Sequence, residues 1–132
     1  MTSLEWLAAS ALLTALFWVP YVLERMLALG VFGALKPVEP EHELKQALWA
    51  RRAKRAHYNA VENLVVFSTL VLVASAMGKA EAAQVLMAAQ LYFWARLVHF
   101  PALTFGLTGV RTLAYLTGFA AQIIVAIEIF TR

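Results

Sequence analysis

Four apolar runs, each about as long as a bilayer is thick and separated by short polar or glycine-containing connections, constrain this chain more than any other feature. A hydrocarbon core about 30 Å across takes roughly 20 helical residues. In lipid, every backbone N–H and C=O must be satisfied within the protein, so such runs fold as helices. The first extends from Leu4 to about Leu29, with Glu5 near its start and the Glu24-Arg25 pair near its end. It exceeds the roughly 7–15 apolar residues of a secretory signal and follows no basic segment, so it is expected to be a retained span. Pro20 is expected to kink it without ending it.

Gly30, Gly33, Pro37 and Pro40 then mark a loop, and Glu41 and Glu43 favour a helix start. Nothing in the sequence breaks a second helix from Glu41 to about Met77, which predicts a rod of roughly 50 Å. Its basic first half is expected to project beyond the hydrocarbon, with Leu64 to Ala76 inside. Gly78-Lys79-Ala80-Glu81 predicts a tight polar turn. A third helix is expected from Ala82 to about Leu103, closed by Pro101, Gly106 and Gly109, and a fourth from Thr112 to Phe130. The expected fold is all-α, a single domain over residues 1–132 forming an integral membrane four-helix bundle with both termini on one side.

Composition agrees with that reading. The chain is 62% hydrophobic, and its 14% of charged residues gather between Lys36 and Glu62 instead of spreading over a solvated surface. The first connection carries Lys36, Lys45, Arg51, Arg52, Lys54 and Arg55, and the third carries Arg111, against Lys79 alone at the other end. The basic end is therefore expected to be cytoplasmic. These loops account for the net charge of +3 without a nucleic-acid partner. The absence of cysteine excludes disulfides and a protein-borne thiol nucleophile, so any thiol chemistry takes its sulfur from a substrate. His42, His57 and His99 lack metal-ligand spacing, and no metal site is expected.

Arg55, Asn59 and Glu62 stand at i, i+4 and i+7, on one helical face, with Arg51 a turn earlier and Tyr58 on its shoulder. A carboxylate facing lipid at the depth of Glu62 costs at least ~2.5 kcal/mol, so it is expected to face protein, water or a cation. Arg96, near the end of the third helix with His99 three residues on, is the expected partner. If the two stripes meet, they form a polar pocket at the membrane boundary. Guanidinium groups would pair carboxylates there and Glu62 would take an ammonium, which suits a small peptide. The alternative is a structural Glu62–Arg96 pair that binds nothing. Arg51, Arg52 and Lys54 read as a basic collar on anionic headgroups, and His57 equally as an interfacial side chain or a ligand contact.

These residues resemble the MAPEG family, membrane-associated proteins in eicosanoid and glutathione metabolism, in a bacterial-type member. The family signature Arg-x-x-x-Asn-x-x-Glu is matched by Arg55, Asn59 and Glu62, with Ala56 and His57 also in family style. A second match runs from Ala95-Arg96-Leu97-Val98-His99-Phe100-Pro101 through Gly106 to Val110-Arg111-Thr112-Leu113. The resemblance implies a homotrimer in the bacterial inner membrane, with glutathione between subunits at the cytoplasmic face. It further implies conjugation to, or reduction of, a lipophilic electrophile. Carried over by position, Arg55, Asn59 and Glu62 would hold glutathione, Arg96 and His99 would line the site, and Arg111 would stabilise the thiolate. His57 is a further candidate contact, and Arg25 a contributor from the neighbouring subunit. Where many relatives carry third-helix tyrosines this chain has His99 and Leu103, and Asn63 follows Glu62 in place of an aromatic residue. The competing expectation is a non-enzymatic scaffold, or a small proton-coupled transporter using Glu62.

Overall fold

Thr2 and Glu5 begin the first helix with a capping box: the Thr2 hydroxyl accepts from the Glu5 amide and the Glu5 carboxylate from the Thr2 amide. Two of the N–H groups that a helix start leaves free are thereby satisfied. In the computed structural model, which describes residues 1–131, the chain has six helical segments and, among the described residues, no strand. They are α1 (Ser3–Leu16), α2 (Trp18–Ala34), α3 (Pro40–Lys45), α4 (Leu48–Ala76), α5 (Ala83–Thr104) and α6 (Thr108–Phe130).

The expected proline kink falls at Phe17, between α1 and α2. Pro20 has no N–H to offer the Leu16 carbonyl, so the break comes one turn ahead of the proline itself. Phe17 is buried there and stacks on Phe100, with ring centroids 4.1 Å apart. Regular α2 ends where the sequence placed it, because Gly30 takes φ 74° and ψ 164° and turns the last residues aside. Arg25 bends back to hold this end: its Nε donates to the Ala34 carbonyl at 3.2 Å and its Nη2 to that of Lys36 at 3.3 Å.

The unbroken second helix expected from Glu41 to Met77 is instead two pieces. Gln46 and Ala47 are extended, with ψ of 149° and 148°. The cause is Glu24 on α2, whose carboxylate accepts the Ala47 amide at 3.0 Å and the Gln46 side-chain amide at 2.9 Å. A carboxylate at a helix start satisfies a free N–H and complements the helix dipole. Here it comes from another helix, so local propensity in α3–α4 yields to a tertiary cap.

The polar turn predicted at Gly78–Glu81 joins α4 to α5. Between α5 and α6 the turn is shorter than expected, and α6 starts at Thr108 instead of Thr112. Gly106, at φ 74°, reverses the chain there in a conformation that other residues rarely adopt. At the opposite end, Lys79 Nζ donates to the Glu128 carbonyl at 2.7 Å and to that of Thr131, satisfying carbonyls that the end of α6 leaves free. Ser3 Oγ donates to the Ala80 carbonyl at 2.7 Å, so the start of α1 joins the same end.

The core is small-residue packing around α5. Ala88, Ala89 and Ala121 let α5 and α6 approach closely, and Phe67 of α4 stacks on Tyr92 of α5 with centroids 3.8 Å apart. Outward lie Leu12, Leu27, Val65, Leu72, Leu113, Phe119 and Ile127, all exposed. Such an apolar exterior is stable in lipid. Ser3–Ala34, Leu48–Ala76 and Thr108–Phe130 are long and apolar enough to cross a bilayer. α5 is also 22 residues long but carries Gln84, Gln90, Arg96 and His99, and it turns Arg96 and His99 inward.

Candidate functional site

At about 100° per residue, Arg55 and Glu62 lie about 40–60° to one side of Asn59 on α4, and Asn63 lies about 40° to the other. Burial follows that geometry: Arg55 and Glu62 are exposed on the single chain, while Asn59 and Asn63 are half-buried toward α5 and α6. Arg96, only 1% exposed, reaches across from α5. Its Nη1 donates to Asn59 Oδ1 at 2.9 Å. The expected Glu62–Arg96 pair is therefore replaced by an Asn59–Arg96 bond, because Glu62 sits on the outer side of the stripe. Among the described residues the one ion pair is Lys54–Glu43.

Arg96 lies between two aromatic rings, its guanidinium carbon 5.5 Å from the Tyr92 centroid and 5.7 Å from that of Tyr115. Cation–π contacts of this kind recover part of the cost of desolvation. Gly118 makes the space, since a Cβ there would stand 2.7 Å from Arg96 Nη2. Arg96 Nε and Nη2 are buried with no hydrogen-bond partner. Asn59 is held in turn by Asn63, whose Nδ2 donates to the Asn59 carbonyl at 2.8 Å, and Gln122 Nε2 approaches the Asn63 carbonyl at 3.4 Å.

Beside this network a cleft of about 270 Å³ opens between α4, α5 and α6, lined by Asn59, His99, Leu103, Arg111, Thr112 and Tyr115. It offers a guanidinium, an imidazole, an amide and two hydroxyls, and no carboxylate. A donor set of that kind suits an anionic ligand with peptide-like groups. The unpartnered Nε and Nη2 of Arg96 face Gly118 of α6 and leave a buried cation incompletely satisfied beside the cleft.

Of the residues predicted from sequence, Asn59, His99 and Arg111 meet in this cleft, with Arg96 behind them. Arg55 lines a neighbouring cavity, and Glu62 faces outward. His57 turns to α2, its Nδ1 2.7 Å from the Tyr21 hydroxyl. Arg25 is occupied by carbonyls of its own chain. Sequence reasoning missed Thr112, Tyr115, Gly118 and Gln122. A signal was present: Arg111, Tyr115, Gly118 and Gln122 recur at i, i+4, i+7 and i+11, the same one-face rule that singled out the α4 stripe.

An apolar helical exterior around an inward polar seam defines a helical integral membrane protein. More particularly, the chain belongs to the MAPEG family, whose model matches residues 3–131. That family is associated with glutathione, and its members include glutathione-dependent transferases and peroxidases. No curated protein and no solved structure matches the chain significantly.

Proposed function

We propose that the protein is a membrane-bound, glutathione-dependent transferase or peroxidase-like enzyme acting on a lipophilic electrophile that enters from the bilayer. The observation that carries this reading is Arg96. A guanidinium buried without a carboxylate costs several kcal/mol, and the neighbouring cleft presents Asn59, His99 and Arg111 but no acid of the chain's own. An anion bound in the cleft offsets part of that cost across Asn59, which Arg96 holds. The carboxylates of glutathione match the donors, and its ammonium matches Glu62.

The exposed charge on α4 favours self-association, taken here as a homotrimer on the family resemblance. Arg55 and Glu62 are exposed on the single chain, and at the depth of Glu62 contact with lipid costs at least ~2.5 kcal/mol. A second copy laid against this face of α4 removes the cost and encloses the ligand between subunits. In that assembly α5 is the fourth span, and the basic end with its site lies on the cytoplasmic side of a bacterial inner membrane.

Bound glutathione supplies a thiol nucleophile, which this cysteine-free chain lacks. Arg55, Asn59 and Glu62 hold its polar ends, and Arg96 and His99 line the site. Arg111 stabilises the thiolate: a free thiol has a pKa of about 8.5, and an adjacent guanidinium lowers it. His57 and Arg25 act on the α2 side, His57 through Tyr21 and Arg25 by fixing the end of α2.

Thermal denaturation of the purified protein in detergent tests the reading. Glutathione at 100 times its Kd stabilises the folded state by about 2.7 kcal/mol, and Arg55→Ala and Glu62→Ala each abolish that shift. A wild-type protein whose melting is indifferent to glutathione refutes it.

A further inference from the structure

A second and larger cavity, of about 590 Å³, lies where α3 meets the start of α4, with Glu43 and Gln46 on one side and Arg51, Arg52, Lys54 and Arg55 on the other. Four cations thus face one carboxylate. Glu43 is already engaged by Lys54, and that bond holds the Glu43 carboxyl below its ordinary range. The three arginines have no acid partner among the described residues. Arg51 Nε is buried without a hydrogen-bond partner. Arg52 is fixed against the α5–α6 turn, where a Cβ at Gly106 would stand 2.8 Å from its Nη1.

The surroundings of the cavity select among anions. Along α4, Arg51, Lys54, Tyr58, Val61, Val65 and Leu72 share one face. Tyr58, Val61, Val65 and Leu72 are all exposed, from 43% to 61%. Read from the end of the helix inward, that face runs from cations through an aromatic ring to bare aliphatic side chains. It is the order of groups along a phospholipid, and it adjoins the face bearing Arg55 and Glu62, with Arg51 at the border of the two. Leu48, also exposed, lines the cavity at the start of α4.

We infer that this cavity binds the phosphate of an anionic phospholipid, with the acyl chains lying along the exposed face of α4. Arg51 and Arg52 take the phosphate oxygens in the paired geometry guanidinium favours, and Tyr58 meets the glycerol region. The inference rests on the membrane-protein build and does not depend on the proposed glutathione chemistry.

Native mass spectrometry of the protein in detergent, titrated with equal amounts of phosphatidylglycerol and phosphatidylcholine, tests it. The wild type retains phosphatidylglycerol in preference. Each cation at an anionic interface contributes about fivefold, so Arg51→Gln/Arg52→Gln lowers phosphatidylglycerol retention about 30-fold and leaves phosphatidylcholine retention unchanged. Arg51→Lys/Arg52→Lys keeps the charge and most of the preference, which separates loss of the site from loss of the fold. Equal retention of the two lipids by the wild type overturns the inference, as does an unchanged preference in the glutamine variant. Displacement of phosphatidylglycerol by an equal concentration of inorganic phosphate assigns the cavity to a free anion and overturns the lipid reading. Glutathione-dependent melting, read separately on the same preparations, keeps the two proposals distinguishable.

Discussion

Gly118→Ala isolates the geometry on which the candidate site turns. The added methyl group would stand 2.7 Å from Arg96 Nη2 and 3.3 Å from Nε, so the guanidinium must move by several tenths of an ångström. Solvent is closed to it, since Arg96 is 1% exposed, and the Tyr92 and Tyr115 rings limit sideways motion. The 2.9 Å bond to Asn59 is what gives way. Overpacking costs about 1–3 kcal/mol, and alanine returns up to about 1 kcal/mol in helix propensity. The apo protein is therefore expected to lose up to about 3 kcal/mol of stability. Ligand affinity depends on Arg96 and Asn59 together, and a charged hydrogen bond contributes about 1.5–3 kcal/mol. Glutathione binding is expected to weaken by about 10–100-fold. Melting temperature as a function of glutathione concentration reads both quantities at once. A variant that binds glutathione as the wild type does refutes the assigned role of Arg96.

Three further outcomes follow from contacts outside the cleft. Lys79→Met removes the donor to the Glu128 and Thr131 carbonyls. It is expected to cost about 1 kcal/mol and to raise hydrogen exchange in the last turn of α6 while leaving α4 unaffected. Glu24→Ala strips the tertiary cap from Ala47 and is expected to cost about 1–2 kcal/mol, with faster exchange at the first amides of α4. The Glu43 carboxyl is held below its ordinary range by Lys54. Its contribution is therefore fully present above the usual glutamate pKa and is lost as pH falls through the lowered folded value. Because the pair is partly exposed, the effect is below about 1 kcal/mol. The difference in melting temperature between wild type and Lys54→Met is expected at pH 6 and to disappear in strong acid.

Apolar run length located the long helices well. Gly30 and the Gly78–Glu81 turn are local signals that do not depend on what packs nearby. The break at Gln46–Ala47 left no such signal, because its cause is a carboxylate 23 residues away on α2. Helical spacing likewise put Arg55, Asn59 and Glu62 on one face but could not resolve which of them turns inward. A rotation of about 60° separates Asn59, which meets Arg96, from Glu62, which does not. The α6 contribution was readable in principle from the recurrence of Arg111, Tyr115, Gly118 and Gln122. It was obscured because a glycine that makes room for an arginine looks, in sequence, like a loop or a helix contact.

A structure of the protein in lipid with glutathione added tests the central claim most directly. Density for the tripeptide is expected in the cleft against Asn59, His99 and Arg111, with Arg96 behind Asn59 and a second copy of the chain covering Arg55 and Glu62. An empty cleft with Glu62 directed at acyl chains would contradict it.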